Sequence, residues 1–334
     1  MNEKEIYSNI EIALKSKKEI AVISVIETWG SSPRPVGSTM VVSEDHKVFG
    51  SVSGGCIESF VYSKALEVIK NNKVITLEFG VTNKQAWEVG LTCGGKIKVF
   101  IEKLSQDNLN YVKRINNTFN TNNSLTVATK LLDGTKEILN DNSLIKNKYI
   151  KSISEKNINF KKSELKLINN QYWFFKVFKS EIKLIIIGSV HIAEPLIKFA
   201  NILGYRIVLI DPRNNIKDVS VNSDVKVMRD WPDEALKKIT INDNSAVVTL
   251  THDTKLDDPA LEYSLKSKAF YIGCLGSKKT HASRIERLSK KGIKKELLTK
   301  LHGPIGLSIR AKTPAEIAAS IISQIIEIKN SIHA

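Results

Sequence analysis

The chain has 334 residues, 42% of them hydrophobic and 25% charged, which is room for two packed units at about 150 residues per domain and excludes a fibrous or largely disordered chain. Its net charge of +15 does not point to nucleic acid, because the surplus is concentrated. Positions 104 to 180 alone hold 13 Lys+Arg against 6 Asp+Glu, in an Asn- and Lys-rich stretch without the interleaved aromatics of a base-stacking surface.

Met1 to Glu19 scatters charges among apolar residues and shows no export signal. The apolar runs are far shorter than the roughly 20 residues a membrane-spanning helix needs, so a cytoplasmic protein with no membrane partner is expected. Three cysteines, Cys56, Cys93 and Cys274, make an odd, sparse set that suggests neither a disulfide framework nor a zinc ribbon.

Residues 1–103 read as a mixed α/β domain, with strands at Ile20 to Thr28, Thr39 to Ser43, Val74 to Phe79 and Lys96 to Glu102. Between the first two lies Gly30 to Ser38, whose prolines limit backbone freedom and whose Arg34 offers a planar donor fork to an anion. The plainer reading is a long connection with a solvated arginine. Ser51 to Glu58 then leads into an apolar helical pattern at Val61, Ala65, Leu66 and Ile69, which puts Cys56 near a helix N-terminus. There the dipole lowers a thiol's pKa, while the amides around Ser53, Gly54 and Gly55 leave space for an anion. Cys93, Gly94 and Gly95 repeat the glycine-cysteine pattern ahead of a strand, and for Cys93 a site role and a small buried hydrophobe stand as equal alternatives.

Residues 104–180 read as a connector with some edge structure, β-prone at Gln171 to Phe178. From 181 to 334 the rhythm is regular. Leu184 to Ile187, Ile207 to Ile210, Val225 to Met228, Ala246 to Leu250 and Ala269 to Ile272 are short buried-type strands separated by helical stretches, the pattern of a Rossmann-like parallel sheet with helices on both faces. Ala193, Leu196, Ile197, Ala200 and Leu203 share one helix face, and Thr313, Pro314 and Glu316 start the last helix as a capping box.

Gly188 to Ala193 occupies the place of a dinucleotide phosphate turn, and Asp211 stands at the spacing of a ribose-binding carboxylate. Val190 sits where a glycine normally lets the backbone approach pyrophosphate, so NAD(P) binding and a bare strand-to-helix joint remain alternatives. His252 and Asp253 follow a strand at the sheet's carboxyl edge, where such folds bind ligands; they and His191 are candidate contacts, against the reading of local hydrogen bonding.

Taken together, Gly30 to Ser38, Gly50 to Glu58 and Gly90 to Glu102 resemble the N-terminal domain of the XdhC/CoxI family, the xanthine dehydrogenase accessory proteins. The Gly188 to Ala193 turn, Asp211-Pro212-Arg213, Thr251-His252-Asp253, Asp257 to Leu261, Gly276-Ser277 and Gly303 to Ala318 are similar to its C-terminal domain. The resemblance implies a chaperone that binds molybdenum cofactor, shelters it while sulfur replaces a terminal oxygen, and inserts it into a xanthine-dehydrogenase-type hydroxylase. A cysteine desulfurase is the implied second partner, and a homodimer is compatible. The family's cofactor-associated cysteine falls on Cys56, where a soft thiolate can ligate molybdenum, and its second motif falls on Cys93-Gly94-Gly95. Two departures are Val190 and Arg310, where members carry glycines. The competing readings are an NAD(P)-dependent oxidoreductase built on the second domain and a nucleotide-sensing module.

Overall fold

A computed structural model describes residues 1–30, 34–55, 57–80, 95–121, 124–139, 145–155, 160, 162–213 and 225–333. The chain divides into two compact units, Met1–Ser180 and Glu181–Ala334.

The first unit opens with helix α1 (Glu3–Lys15), capped by Asn2 and Glu5 in a reciprocal box. Strands β1 (Ile20–Trp29), β2 (Thr39–Ser43), β3 (Val48–Gly50), β4 (Ile75–Phe79) and β5 (Lys96–Leu104) form an antiparallel sheet in the order β3-β2-β1-β5-β4. Both faces of β1 are covered, which is why its sequence reads as a continuous apolar run. Ala21, Ile23 and Val25 pack under helix α2 (Glu58–Asn71) through Val61, Ala65 and Val68. Ile20 and Val22 face the other way, onto Ile6, Ile10 and Leu14 of α1.

The 104–180 segment is not a connector. It carries helix α3 (Leu109–Asn120), helix α4 (Lys148–Glu155) and strands β6 (Ser124–Lys130), β7 (Lys136–Ile138), β8 (Glu164–Ile168) and β9 (Gln171–Lys179), which form a second antiparallel sheet in the order β7-β6-β9-β8. Val112, Ile115, Phe119, Leu125, Val127 and Phe178 from this segment share one core with α1 and β1. Several of its Asn and Lys, such as Lys113, Asn117, Lys146 and Lys151, are exposed, which hides the buried apolar positions from a reading of composition, although Lys176 is itself buried.

The second unit is a six-stranded sheet in the order β12-β11-β10-β13-β14-β15. Its strands are β10 (Lys183–Ile187), β11 (Arg206–Ile210), β12 (Val225–Met228), β13 (Ser245–Thr249), β14 (Tyr271–Cys274) and β15 (Leu301–His302), and every pairing is parallel. Leu184 and Ile186 pack toward helix α5 (Ala193–Ile202). Ile185 and Ile187 pack toward helix α6 (Pro232–Lys237) and helix α7 (Thr254–Leu265). Helix α8 (Lys278–Lys290) and the short α9 (Lys295–Leu298) follow β14, and α10 (Pro314–His333) closes the chain.

The expected parallel, helix-covered sheet is therefore present, with Gly188 directly after β10. Two details differ from expectation: the strand expected at Ala269 to Ile272 lies two residues later, and Leu203 is the C-cap of α5 and 41% exposed rather than core. The capping box of α10 forms, with the Thr313 hydroxyl accepting from the Glu316 amide at 3.2 Å and Glu316 accepting from the Thr313 amide at 3.0 Å. Arg310 has φ of +59°, the left-handed region that glycine enters without a Cβ penalty. Among the described residues no helix is long and apolar enough to cross a membrane.

Candidate functional site

The antiparallel register of the first sheet brings the candidate loops together. Trp29 at the end of β1 pairs with Lys96 at the start of β5, Met40 near the start of β2 pairs with Gly50 at the end of β3, and Phe79 at the end of β4 pairs with Ile97. Gly30 to Ser38, Ser51 to Ile57 and the segment ending at Gly95 therefore all leave from one end of the sheet. Cys56, Cys93 and Gly94 lie outside the described residues, whereas Gly95 is buried just before β5.

Arg34 is exposed on the first of these loops. The loop's far end is fixed by Gly37, whose amide donates to the Val25 carbonyl at 2.8 Å. Gly37 has φ of +97°, and a Cβ there would stand 3.0 Å from the Ser163 hydroxyl. The segment expected to be a connector thus supplies the surface behind this loop.

The second loop corrects the expected anion cradle. Its amides are already satisfied by the carboxylate of Glu58, the first residue of α2. Glu58 accepts from the amides of Ser53 at 2.9 Å, Gly54 at 2.9 Å and Gly55 at 2.8 Å, and from the hydroxyls of Ser51 at 2.8 Å and Ser53 at 2.5 Å. Burial alone would raise this carboxyl, but the Ser53, Ser51 and Gly55 donors outweigh it and hold its pKa at about 2. The internal anion also compensates the positive end of α2. Gly54 and Gly55 have φ of +80° and +122°, and a Cβ built on Gly55 meets nothing within 4 Å, so the loop is both braced and open on that side. The signal was present in the sequence as a glutamate three residues after a double glycine, but its spacing alone does not say which amides it reaches.

In the second unit, Gly188, Asp211, His252 and Asp253 gather at the carboxyl ends of β10, β11 and β13, where the strand order turns back on itself. Gly188 has φ of +104°, and a Cβ there would meet the Thr251 methyl carbon at 2.3 Å, so both conformation and packing require glycine. Asp211 does not present a free carboxylate. It accepts from the Ser189 amide at 2.7 Å, from Arg213 Nε at 2.9 Å and from Arg213 Nη2 at 2.6 Å. Burial would raise it, but these donors hold it below the usual carboxylate range. Val190 packs against the core rather than standing free in the crevice. What meets an incoming ribose here is an engaged Asp211, with one turn amide already used.

His191 and His252 are exposed, and His252 has φ of +62°. Asp253 is the N-cap of α7, accepting from the Lys255 amide at 2.9 Å, so its side chain has a structural task. Sequence reasoning missed Arg284, a buried cation on α8 that donates to Cys274 Sγ at 3.0 Å. Burial still prevails there and pushes the Cys274 thiol up to about 11, so it is a protonated donor-acceptor inside the fold rather than a reactive thiolate. Among the described residues no cluster of His, Cys, Asp and Glu could hold a metal ion.

Comparison with known proteins adds the following. Residues 13–80 match the XdhC and CoxI family, and residues 184–325 match the XdhC Rossmann domain. The chain is 24% identical over 319 residues to the molybdenum cofactor insertion chaperone PaoD of Escherichia coli strain K12, covering 95% of this chain and 86% of PaoD. It is 22% identical over 333 residues to a probable xanthine dehydrogenase subunit from Bacillus subtilis strain 168, covering 98% of each. A crystal structure of a xanthine dehydrogenase from Bacillus halodurans superimposes with a TM-score of 0.81 at 26% identity, covering 99% of this chain and 96% of that one.

Proposed function

Because this chain belongs to the XdhC and CoxI family, we propose that it is a carrier of molybdenum cofactor that shelters the cofactor during sulfuration and inserts it into a xanthine-dehydrogenase-type hydroxylase. A cysteine desulfurase supplies the sulfur, and the exchange takes place in the cytoplasm. The observation that carries this reading is that the strand ends flanking three glycine-bearing segments, at Trp29 and Thr39, at Gly50, and at Phe79 and Lys96, lie at one end of the first sheet. Similarity to a cofactor insertion chaperone along 95% of the chain supports it.

Residue roles follow from the bonds inside the second loop and from where the family motifs fall. The Ser53, Gly54 and Gly55 amides are committed to Glu58, so they shape the loop rather than hold a pterin phosphate. Contact with the cargo falls to the Cys56 thiol, as a soft ligand or shield for molybdenum, and to Arg34 as a donor to the phosphate. Gly95 borders the same end, Cys93 and Gly94 enter this reading through the family motif alone, and Gly188, His191, Asp211, His252 and Asp253 form a separate candidate surface in the second unit. The oxidoreductase alternative loses support, since its ribose-binding carboxylate is engaged by Arg213.

The test is to purify the protein from cells that make molybdenum cofactor and to measure bound molybdenum and pterin. Both are expected with the wild-type chain and should fall at least tenfold in Cys56→Ala with an unchanged circular dichroism spectrum. Wild-type protein without pterin or molybdenum would sink the carrier reading. A folded Cys56→Ala protein that keeps full stoichiometry and still activates its hydroxylase would remove only the thiol from it.

A further inference from the structure

Helices α7 and α8 face each other through two consecutive aspartates and two arginines, and the two pairs behave differently. Asp258 and Arg287 close into a two-bond fork, with Nε to Oδ2 at 2.9 Å and Nη2 to Oδ1 at 3.1 Å. Asp257 and Arg284 do not close: Arg284 Nη2 stands 3.6 Å from Asp257 Oδ2, although the residues are only 1% and 2% exposed. Asp257 Oδ2 and Arg284 Nε are left buried without a hydrogen-bond partner.

The cause is visible on both sides of the gap. Arg284 is held back by Nη1 donating to Cys274 Sγ at 3.0 Å and Nη2 to the Leu275 carbonyl at 2.9 Å. Asp257 is held by Oδ1 accepting from the Thr251 hydroxyl at 2.6 Å. A third orphan is the hydroxyl of Thr249, on the strand beside Cys274, the residue that Arg284 touches. Thr249 pairs in register with Cys274, and equivalent residues of parallel strands point to the same face. Buried polar groups in folded proteins are almost always paired, and three unpaired atoms on β13, α7 and α8 indicate a missing component rather than three separate defects.

We propose that the gap between Asp257 and Arg284 is a binding site for one neutral donor-acceptor group, which accepts from Arg284 Nε, donates to Asp257 Oδ2 and takes the Thr249 hydroxyl as its third partner. The charges select that chemistry. The site's own carboxylate and guanidinium offset each other, so an added phosphate or metal ion would bury an uncompensated charge. A water molecule meets the requirement, and so does the N–H beside C=O of a ligand's lactam or carboxamide edge. The site lies past the carboxyl ends of β13 and β14, the edge at which open α/β sheets take ligands. It also stands behind the switch-point turns: Asp257 holds Thr251, whose hydroxyl accepts from the Asp253 amide at 3.1 Å and whose methyl group packs on Gly188.

A high-resolution crystal structure of the full chain, alone and soaked with a free pterin as the lactam probe, tests this without any loaded cofactor. One density peak within hydrogen-bonding distance of Asp257 Oδ2 and Arg284 Nε is expected. If the peak is water in both crystals, solvent fills the site; if the pterin lactam replaces it, the site takes a ligand edge. A dry gap in both, a direct two-bond fork like that of Asp258 and Arg287, or an ion of either sign overturns the proposal. Thr249→Val is nearly isosteric and should fold, and it should reduce the peak's occupancy at least twofold; unchanged occupancy would remove Thr249 from the site. Failure of the carrier reading leaves this result untouched, because the free protein alone decides it.

Discussion

Glu58 shows how one side chain can reverse a local inference. The sequence displays a helix start, two glycines and a cysteine, which together suggest amides waiting for an anion; the structure fills those amides with the chain's own carboxylate. The consequence is a defined pH dependence. The folded pKa of about 2 lies below the ordinary 4.5. Glu58 therefore contributes stability that is fully present above about pH 4.5 and is lost as the pH falls toward 2. Glu58→Gln should lower the melting temperature by several degrees near pH 6 and by much less near pH 3. Equal losses at the two pH values, followed by calorimetry, would show that the charge is not what the loop uses. Gly188 was legible from the sequence because a turn after a buried strand demands it. The Asp211 engagement was not, since its partner Arg213 is only two residues away and spacing cannot tell a local fork from a free carboxylate.

At the scale of elements, the parallel strands of the second unit were the easiest to read, because strands buried on both faces appear as short unbroken apolar runs. The first unit was harder. The scattered charge of Met1 to Glu19 conceals an amphipathic helix whose Ile6, Ile10 and Leu14 are buried. The 104–180 segment hides its core in the same way, behind exposed Asn and Lys. Its removal should therefore be costly: α1 and β1 would lose the apolar partners Val112, Ile115, Phe119, Leu125 and Phe178. At roughly 1.5–3 kcal/mol for each large buried side chain, that loss is comparable to the roughly 5–15 kcal/mol that typically holds a domain together. A fragment of residues 1–103 should show no cooperative thermal transition, whereas residues 1–180 should melt sharply; near-ultraviolet circular dichroism distinguishes them. A cooperative 1–103 fragment would restore the connector reading.

For the whole molecule, the division into Met1–Ser180 and Glu181–Ala334 gives each unit its own sheets and its own core. Residues 181–334 expressed alone should accordingly fold and melt as one unit, which scanning calorimetry can check; a fragment that stays unfolded would show that the second core depends on the first unit. The gathering of three loops at one end of a sheet was beyond sequence reading, since motif order along a chain carries no information about which strands pair. The internal carboxylate in the second loop also has a kinetic meaning. If the protein carries a cargo, a turn whose Ser53, Gly54 and Gly55 amides are held by Glu58 favours loading and unloading without a cycle of local melting and refolding. On the carrier reading, the hand-off then runs at a rate set by encounter and dissociation, and successive rounds of exchange begin from the same prepared surface.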